Sequence, residues 1–276
     1  MNVIYQMLSR YESQTNDEHL NALHEVMQQI TLAGLYRGGF FDKAAFYGGT
    51  CLRIFYGLQR FSEDMDFSLL KQDNKFDLEH YFNPIIDEFK AHGKDIVITK
   101  KDKKTNTNIK SAFLKDDTAI YNLKFRTERS VKIKIEVDIN PPLGFSTEHK
   151  LLLLPFSFMP RCYSLSDLYA GKMHAFLFRS WKNRVKGRDW YDFEWYVRNN
   201  VALNFNHLHK RIVQSGSPEH EKLSQDKFKD LLKEKISQTN INMVKVDVNP
   251  FIKNHKEMSI WSTDYFIQLV DMIRFE

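Results

Sequence analysis

Ala44-Ala45-Phe46-Tyr47-Gly48-Gly49-Thr50-Cys51-Leu52-Arg53, continued by Arg60-Phe61-Ser62-Glu63-Asp64-Met65-Asp66-Phe67, decides how the chain is read. Ala44 to Tyr47 forms a short apolar strand that runs into a glycine pair. Thr50 can cap a short helix through Phe55, which Gly57 ends. Asp64 to Leu70 is a second strand, and its two acids stand at i and i+2. On an extended strand that spacing points both carboxylates to one face. Two hard oxygen donors on one rigid edge suit Mg²⁺, which is usually held by one or two carboxylates together with substrate phosphates. The glycines let the backbone run close to a phosphate chain. A lone Asp-x-Asp is often just two solvated acids. The glycine turn and the short helix ahead of it turn the reading toward a metal edge. Ser62 could hydrogen-bond a phosphate oxygen, although serine serves as a turn cap just as often.

A third acid would complete such an edge. The strand Val131 to Ile139 alternates with period two. Lys132, Lys134, Glu136 and Asp138 fall on one face, with Val131, Ile133, Ile135, Val137 and Ile139 on the other. A ladder of this kind is equally at home on an exposed sheet surface. If it lines the same cleft as Asp64 and Asp66, either Glu136 or Asp138 is the third carboxylate, ligating metal or taking a proton from an attacking hydroxyl.

Further along stand Lys172-Met173-His174-Ala175, Arg179, Arg184, Lys186 and Arg188-Asp189-Trp190-Tyr191-Asp192-Phe193. On a helix Lys172 and Arg179 share a face, as do Asp189 and Asp192. The plain reading is a basic helix paired with acids. The functional reading is a lysine reaching a triphosphate and an acid holding it. His174 reads as a partly buried structural histidine, and Trp181, Trp190 and Trp195 as core residues.

The rest of the chain sets the frame. An amphipathic helix is expected over Asp17 to Ala33, stopped at Gly34, and another over Phe76 to His92, stopped at Gly93. Strands are expected at Asp95 to Thr99, Asn108 to Leu114, Ala119 to Arg126 and Val131 to Ile139. Between the first two, the run Lys100-Lys101-Asp102-Lys103-Lys104 reads as a solvated hairpin tip. Helices follow at Ser166 to Trp181, Asp189 to Asn199, Leu203 to Gln214, Asp226 to Gln238 and Thr263 to Ile273. The organisation is therefore α+β: a mixed front part over residues 1–160 and a helical bundle over 161–276. That second part would lend Lys172 and Asp189 to the site.

The 276 residues are 42% hydrophobic, enough for an ordinary core. A net charge of +5 permits a nucleic-acid partner without requiring one. Two distant cysteines, Cys51 and Cys162, exclude a disulfide framework and a zinc motif. The first residues lack the pattern of a signal peptide, and the apolar run from Leu151 to Phe156 is too short to cross a bilayer. The expected location is cytoplasmic.

Taken together, the blocks resemble the AbiEii/AbiGii (MenT-like) toxin nucleotidyltransferases. Gly48-Gly49-Thr50 through Asp64-Met65-Asp66 resembles the family's first motif, Lys134-Ile135-Glu136-Val137 its second, Lys172-Met173-His174-Ala175 its third and Arg188-Asp189-Trp190-Tyr191-Asp192-Phe193 its fourth. The resemblance spans residues 48 to 193. It implies a polymerase β-like nucleotidyltransferase fold with a helical bundle behind it. It implies a magnesium-dependent enzyme (Mg²⁺, or Mn²⁺ in its place) that moves a nucleoside monophosphate from an NTP to an acceptor hydroxyl. The implied acceptor is tRNA or another RNA, and the implied setting is a toxin–antitoxin or abortive-infection system with a cognate antitoxin.

The implied catalytic set is Asp64, Asp66, Glu136, Lys172 and Asp189, with metal on Asp64, Asp66 and Glu136. Nucleotide binding falls to Gly48, Gly49, Thr50, Ser62 and Lys172. Asp192 competes with Asp189 as the fourth-motif acid, and Arg184, Lys186 and Arg188 compete for its basic position. The rivals from other classes are a non-catalytic nucleotide-binding module on the same fold and a small-molecule nucleotidyltransferase of the antibiotic-modifying kind. An intact acid and lysine set speaks against the first, and the fourth-motif pattern against the second.

Overall fold

The computed structural model describes residues 3–100, 118–125, 132–179, 185–216 and 223–276, with the backbone alone for 118–125. The strand expected at Asn108 to Leu114, the basic residues 101–104, Trp181 and Arg184 lie outside them.

Two helices open the chain, α1 (Val3–Leu8) and α2 (Asn16–Arg37). A capping box starts α2: the Thr15 hydroxyl accepts from the Glu18 amide, and the Glu18 carboxylate accepts from the Thr15 amide. The helix runs one turn past the expected stop at Gly34. Its end comes at Gly38, whose amide donates to the Gly34 carbonyl. Gly34 is a point of contact. A Cβ there would stand 2.6 Å from the Ile85 Cα, so α4 (Phe82–Ala91) crosses α2 directly over the missing side chain. The helix expected from Phe76 likewise resolves into two pieces. Asp77 caps a 3₁₀ turn over Leu78–Tyr81, and α4 starts afresh so that Pro84, which has no N–H, falls in its first turn.

Four strands form the heart of a seven-stranded mixed sheet: β1 (Ala44–Tyr47), β2 (Asp64–Leu69), β4 (Thr118–Phe125) and β5 (Lys132–Asp138). With β3 (Ile96–Lys100), β6 (Thr147–His149) and β7 (Arg161–Tyr163) the order is β3-β4-β5-β2-β1-β7-β6. The α3 helix (Gly48–Tyr56) links β1 to β2, which run antiparallel, whereas β2 and β5 run parallel. Alternation then sorts the side chains. Met65, Phe67, Ile133, Ile135 and Val137 are fully buried on one face, where Phe40 and Phe46 close on Phe67 with ring centroids 5.0 Å away. Each such side chain stabilises the fold by about 1.5–3 kcal/mol relative to exposure. Asp64, Asp66, Lys134, Glu136 and Asp138 occupy the opposite face, as the period-two reading requires.

After β7 the chain is mainly helical: α5 (Leu165–Phe178), α6 (Gly187–Arg198), α7 (Phe205–Gln214), α8 (Gln225–Gln238), α9 (Ile241–Val248) and α10 (Thr263–Asp271). Leu203 does not belong to α7. It lies in β8 (Ala202–Leu203), paired with β9 (Arg274–Phe275), and Asn204 caps the helix that follows. The sheet extends through Tyr163, past the division expected near residue 160. One continuous apolar cluster joins its buried face to the helices, including Tyr169, Phe193 and Phe266. No helix among the described residues is long and apolar enough to cross a membrane.

Gly34→Ala tests the α2–α4 crossing. Alanine favours a helix over glycine by about 1 kcal/mol, but here its methyl must push two backbones apart, at about 1–3 kcal/mol. The variant is expected to unfold at lower urea than the wild type. A more stable variant would mean that the crossing can relax.

Candidate active site

The parallel register of β2 and β5 assembles the acidic edge. Asp64 lies opposite Lys134, Asp66 opposite Glu136 and Ser68 opposite Asp138. Glu136 thus stands in the row of Asp66, and Asp138 one pair further along. The Lys134 ammonium forms an ion pair with Glu136. Asp64 and Asp66 have no ion-pair partner among the described residues.

Burial and like charge both act on this pair. The Asp66 carboxyl is pushed up to about 7, first by burial and then by the negative charges of Glu136 and Asp64. Asp64 is raised as well, chiefly by burial, with Lys134 opposing the shift and Glu136 adding to it. Among the described residues, no three His, Cys, Asp or Glu side chains are already gathered as a metal cage. The donors nonetheless fit a hard divalent cation. Two carboxylates two residues apart on one strand form no ion pair among the described residues, and burial together with their like charge resists their ionisation.

The turn before α3 is shaped around Asp66. Gly48 has φ of +80°, and a Cβ there would sit 2.2 Å from the Asp66 Oδ2, so only glycine fits. Gly49 lies as close to Arg60 and Ser62: its Cβ would meet the Arg60 Nη2 at 2.7 Å. Thr50 is not the cap of α3. The helix already starts at Gly48, and the buried Thr50 hydroxyl donates to the Asp64 carbonyl and lies 3.0 Å from the Ser62 hydroxyl. Its side chain therefore fixes the β2 edge. From α2, the Gln28 amide group donates to the carbonyls of Ser62 at 3.1 Å and Glu63 at 3.0 Å, pinning the segment that leads into β2.

Helices α5 and α6 supply the facing wall. The Lys172 Nζ lies 2.9 Å from the Asp189 Oδ1 and 2.8 Å from the Asp192 Oδ2. Asp192 is fully buried and also receives the Arg60 guanidinium, with Nε at 2.5 Å and Nη2 at 2.6 Å. Burial by itself would raise the Asp192 carboxyl, but Arg60 and Lys172 hold it below the usual range. Lys172 is shifted up, because Asp189 and Asp192 outweigh a burial that would lower it. Lys172 and Arg179 both ease the ionisation of Asp66, which places this wall beside the acidic edge.

The site residues read from the sequence therefore lie near one another. Lys172 meets two acids in this structure, Asp189 and Asp192, and both bind it. Arg60 was quoted only as part of a motif, and no spacing signal links it to a carboxylate 132 positions away. Two of the basic residues of the stretch 172–188 are engaged by the protein. Lys172 is enclosed, and Arg188 sits on the rim, 3.2 Å from Glu63 and stacked over the Phe251 ring at 4.2 Å. His174 is half-buried, and burial takes its imidazole down to about 3, in keeping with a structural role. Trp190 and Trp195 are core residues. A surface cavity of about 450 Å³ beside Lys210 and Gln214 is lined by none of these residues.

A glycine turn folded onto a two-carboxylate strand, with a third carboxylate on the parallel neighbour, is the arrangement that the resemblance to the nucleotidyltransferase toxins implies. The family model for the nucleotidyltransferase AbiEii toxins of type IV toxin–antitoxin systems matches residues 30–267, and the chain belongs to that family. Its fold is shared with MenT4, a nucleotidyltransferase toxin of Mycobacterium tuberculosis, at a TM-score of 0.61 and 13% identity over 98% of this chain and 87% of that one. JHP933 of Helicobacter pylori is similar at a TM-score of 0.52 and 18% identity, over 94% and 91% of the two chains. No curated protein matches the sequence.

Two expectations follow. Arg60→Met leaves Asp192 buried with Lys172 alone, and urea unfolding should show a loss of about 3–5 kcal/mol; a loss under about 1 kcal/mol would make the bridge incidental. Asp66 carries a pH signature. A carboxyl raised to about 7 in the folded state holds its proton more tightly there than when unfolded. Its contribution is present below the unfolded value near 4 and is lost as pH rises to about 7. Asp66→Asn cannot ionise, so in chelator it should melt with the wild type near pH 4 and about 3 °C or more above it at pH 8. Coincident melting curves at pH 8 would remove the like-charge account.

Proposed function

We propose that this toxin-family enzyme transfers a nucleoside monophosphate from an NTP to a hydroxyl on RNA, with tRNA as the preferred acceptor, in a magnesium-dependent reaction. The observation that carries the reading is the Asp64–Asp66 pair, fixed by Gly48 and Thr50 and forming no ion pair among the described residues.

Asp64 and Asp66 would hold the divalent ion, Mg²⁺ or Mn²⁺, with Glu136 as the third oxygen donor once it leaves Lys134. When bound, such an ion neutralises charge on the phosphates and offsets the repulsion within the acidic edge. The protein's own part is positioning. Backbone amides in the first turn of α3, at Gly48, Gly49 and Thr50, have no partners further up the helix and can meet phosphate oxygens. Ser62 borders the same turn, with its hydroxyl beside Thr50. Lys172 fixes Asp189 and Asp192 across the cleft, and it reaches the pyrophosphate side only by releasing one of them.

In the chemical step the acceptor oxygen attacks the α-phosphorus and loses its proton to a carboxylate of the β2–β5 edge. The bond from that phosphorus to the bridging oxygen breaks, and pyrophosphate departs. Glu136, in the row of Asp66, is our candidate for that proton, with Asp138 one pair further away as the alternative. Membership in a type IV toxin–antitoxin family supports a cognate antitoxin encoded with this chain.

The test is incubation with total RNA and each α-labelled NTP in turn. One NTP should label an RNA band, and Asp64→Ala should lose about 10³-fold or more of that label while keeping its melting temperature. Undiminished labelling by Asp64→Ala would sink the assignment. Label found only on a small molecule would replace the acceptor.

A further inference from the structure

The Lys172 ammonium is engaged by two acids, which leaves room for a second cation at the far end of the polyphosphate. Arg211 on α7 stands in the right place. Its guanidinium lies against α5 at Gly171, where a Cβ would be 3.8 Å from the Arg211 Cζ. It has no acid within ion-pair distance among the described residues, and its Nε is buried without a hydrogen-bond partner. Around it are further orphaned donors and acceptors: both ring nitrogens of the fully buried His207 and the Nε2 of His174. Three nitrogen-bearing side chains thus converge between α5 and α7; Asp138 and Asp167 act electrostatically on Tyr163 as Arg211 does, but neither forms an ion pair with Arg211 among the described residues.

Buried polar atoms left unpaired are costly to the fold. A group of them in a native fold calls for water or an ion. The charge here selects an anion. Arg211 disfavours protonation of both histidines, whose imidazoles burial already takes down to about 3. The cluster also lies near the acidic edge. Arg211 acts electrostatically on Tyr47 and Tyr163, and Tyr47 pairs with Asp66 across β1 and β2. Tyr163 stacks on Tyr47 at 5.2 Å and on Phe145 at 4.1 Å.

We propose that Arg211, with His174 and His207 behind it, forms a subsite between α5 and α7 for the terminal phosphate of the nucleotide's polyphosphate chain. The arginine fork matches phosphate oxygens two at a time. A terminal phosphate can enter a recess end-on. A backbone phosphodiester must keep two ester arms outside, which disfavours the RNA chain as occupant. Identifying the phosphate as part of an NTP rests on the nucleotidyl-transfer reading above; the anion subsite itself does not.

The experiment is calorimetric titration with inorganic tripolyphosphate and, separately, with a 5′-hydroxyl RNA oligonucleotide. The proteins are the full-length wild type, Arg211→Gln and Arg211→Lys. Arg211→Gln should weaken tripolyphosphate binding about tenfold or more, and Arg211→Lys by less, because a charge-assisted hydrogen-bond pair is lost in one and half-kept in the other. Oligonucleotide binding should stay within about twofold of the wild type. Unchanged tripolyphosphate affinity in Arg211→Gln, or no binding to the wild type, overturns the subsite. A loss confined to the oligonucleotide, or shared equally with it, assigns the recess to the acceptor and overturns the proposal.

Should Arg211→Gln fail to fold, the imidazole resonances of His174 and His207 in the wild type decide. Tripolyphosphate should shift both and raise their pKa values, and unmoved resonances overturn the proposal. The two readings fail separately. RNA labelling with unaltered tripolyphosphate binding in Arg211→Gln removes the subsite and leaves the transferase. Tripolyphosphate binding that depends on Arg211, without any labelling by the wild type, does the reverse.

Discussion

Asp192 is the constraint on which the cleft depends. It lies fully buried on α6, gripped by both arms of the Arg60 guanidinium and touched by Lys172 from α5. Arg60 stands four residues before Asp64, so this carboxylate ties the approach to the acidic strand to the two helices that face it. Buried ion pairs seldom add net stability, because desolvation consumes much of the Coulombic gain. What they add is intolerance of misalignment, since a shift of either wall leaves a charge without a partner in a poorly polarisable interior. The bridge therefore sets the width of the cleft more than the stability of the fold.

The two walls differ in electrostatics for a reason. On the wall formed by α5 and α6 the buried charges answer one another: Lys172 by two acids, Asp192 by two cations. On the β2 side Asp64 and Asp66 have no such answer, and Asp66 resists ionisation up to about pH 7. One wall is closed before any ligand arrives, and the other is held at a cost that a cation would relieve. Groups held out of balance in this way are characteristic of functional sites. The recess at Arg211, with orphaned nitrogens of the opposite character, is the second unbalanced place around the same cleft.

Much of the architecture was legible in the sequence because it rests on local rules. The alternation in β2 and β5 fixed which side chains face the cleft, and left-handed Gly57 ended α3 as expected. The misreadings came where contacts override local preference. Gly34 looked like a helix stop, yet α2 continues because α4 needs the space where a side chain would be. Thr50 looked like a helix cap, but left-handed Gly48 turns the chain into the helix earlier and frees Thr50 to brace the β2 edge. The short elements α1, α9 and β6 to β9 gave too little periodicity to be seen.

The sequence by itself determined the acidic edge, the glycine turn and the order of the motifs, since spacing along a strand fixes which face a carboxylate takes. The tertiary structure decided what each charge meets. Register put Glu136 rather than Asp138 beside Asp66, because strand pairing is a long-range choice that no single segment encodes. It gave Lys172 two acids, gave Asp192 the distant Arg60 and left Arg211 without an acid. Ion pairing between residues scores of positions apart follows from how helices pack on a sheet, and the pattern of charges along the chain carries no trace of it.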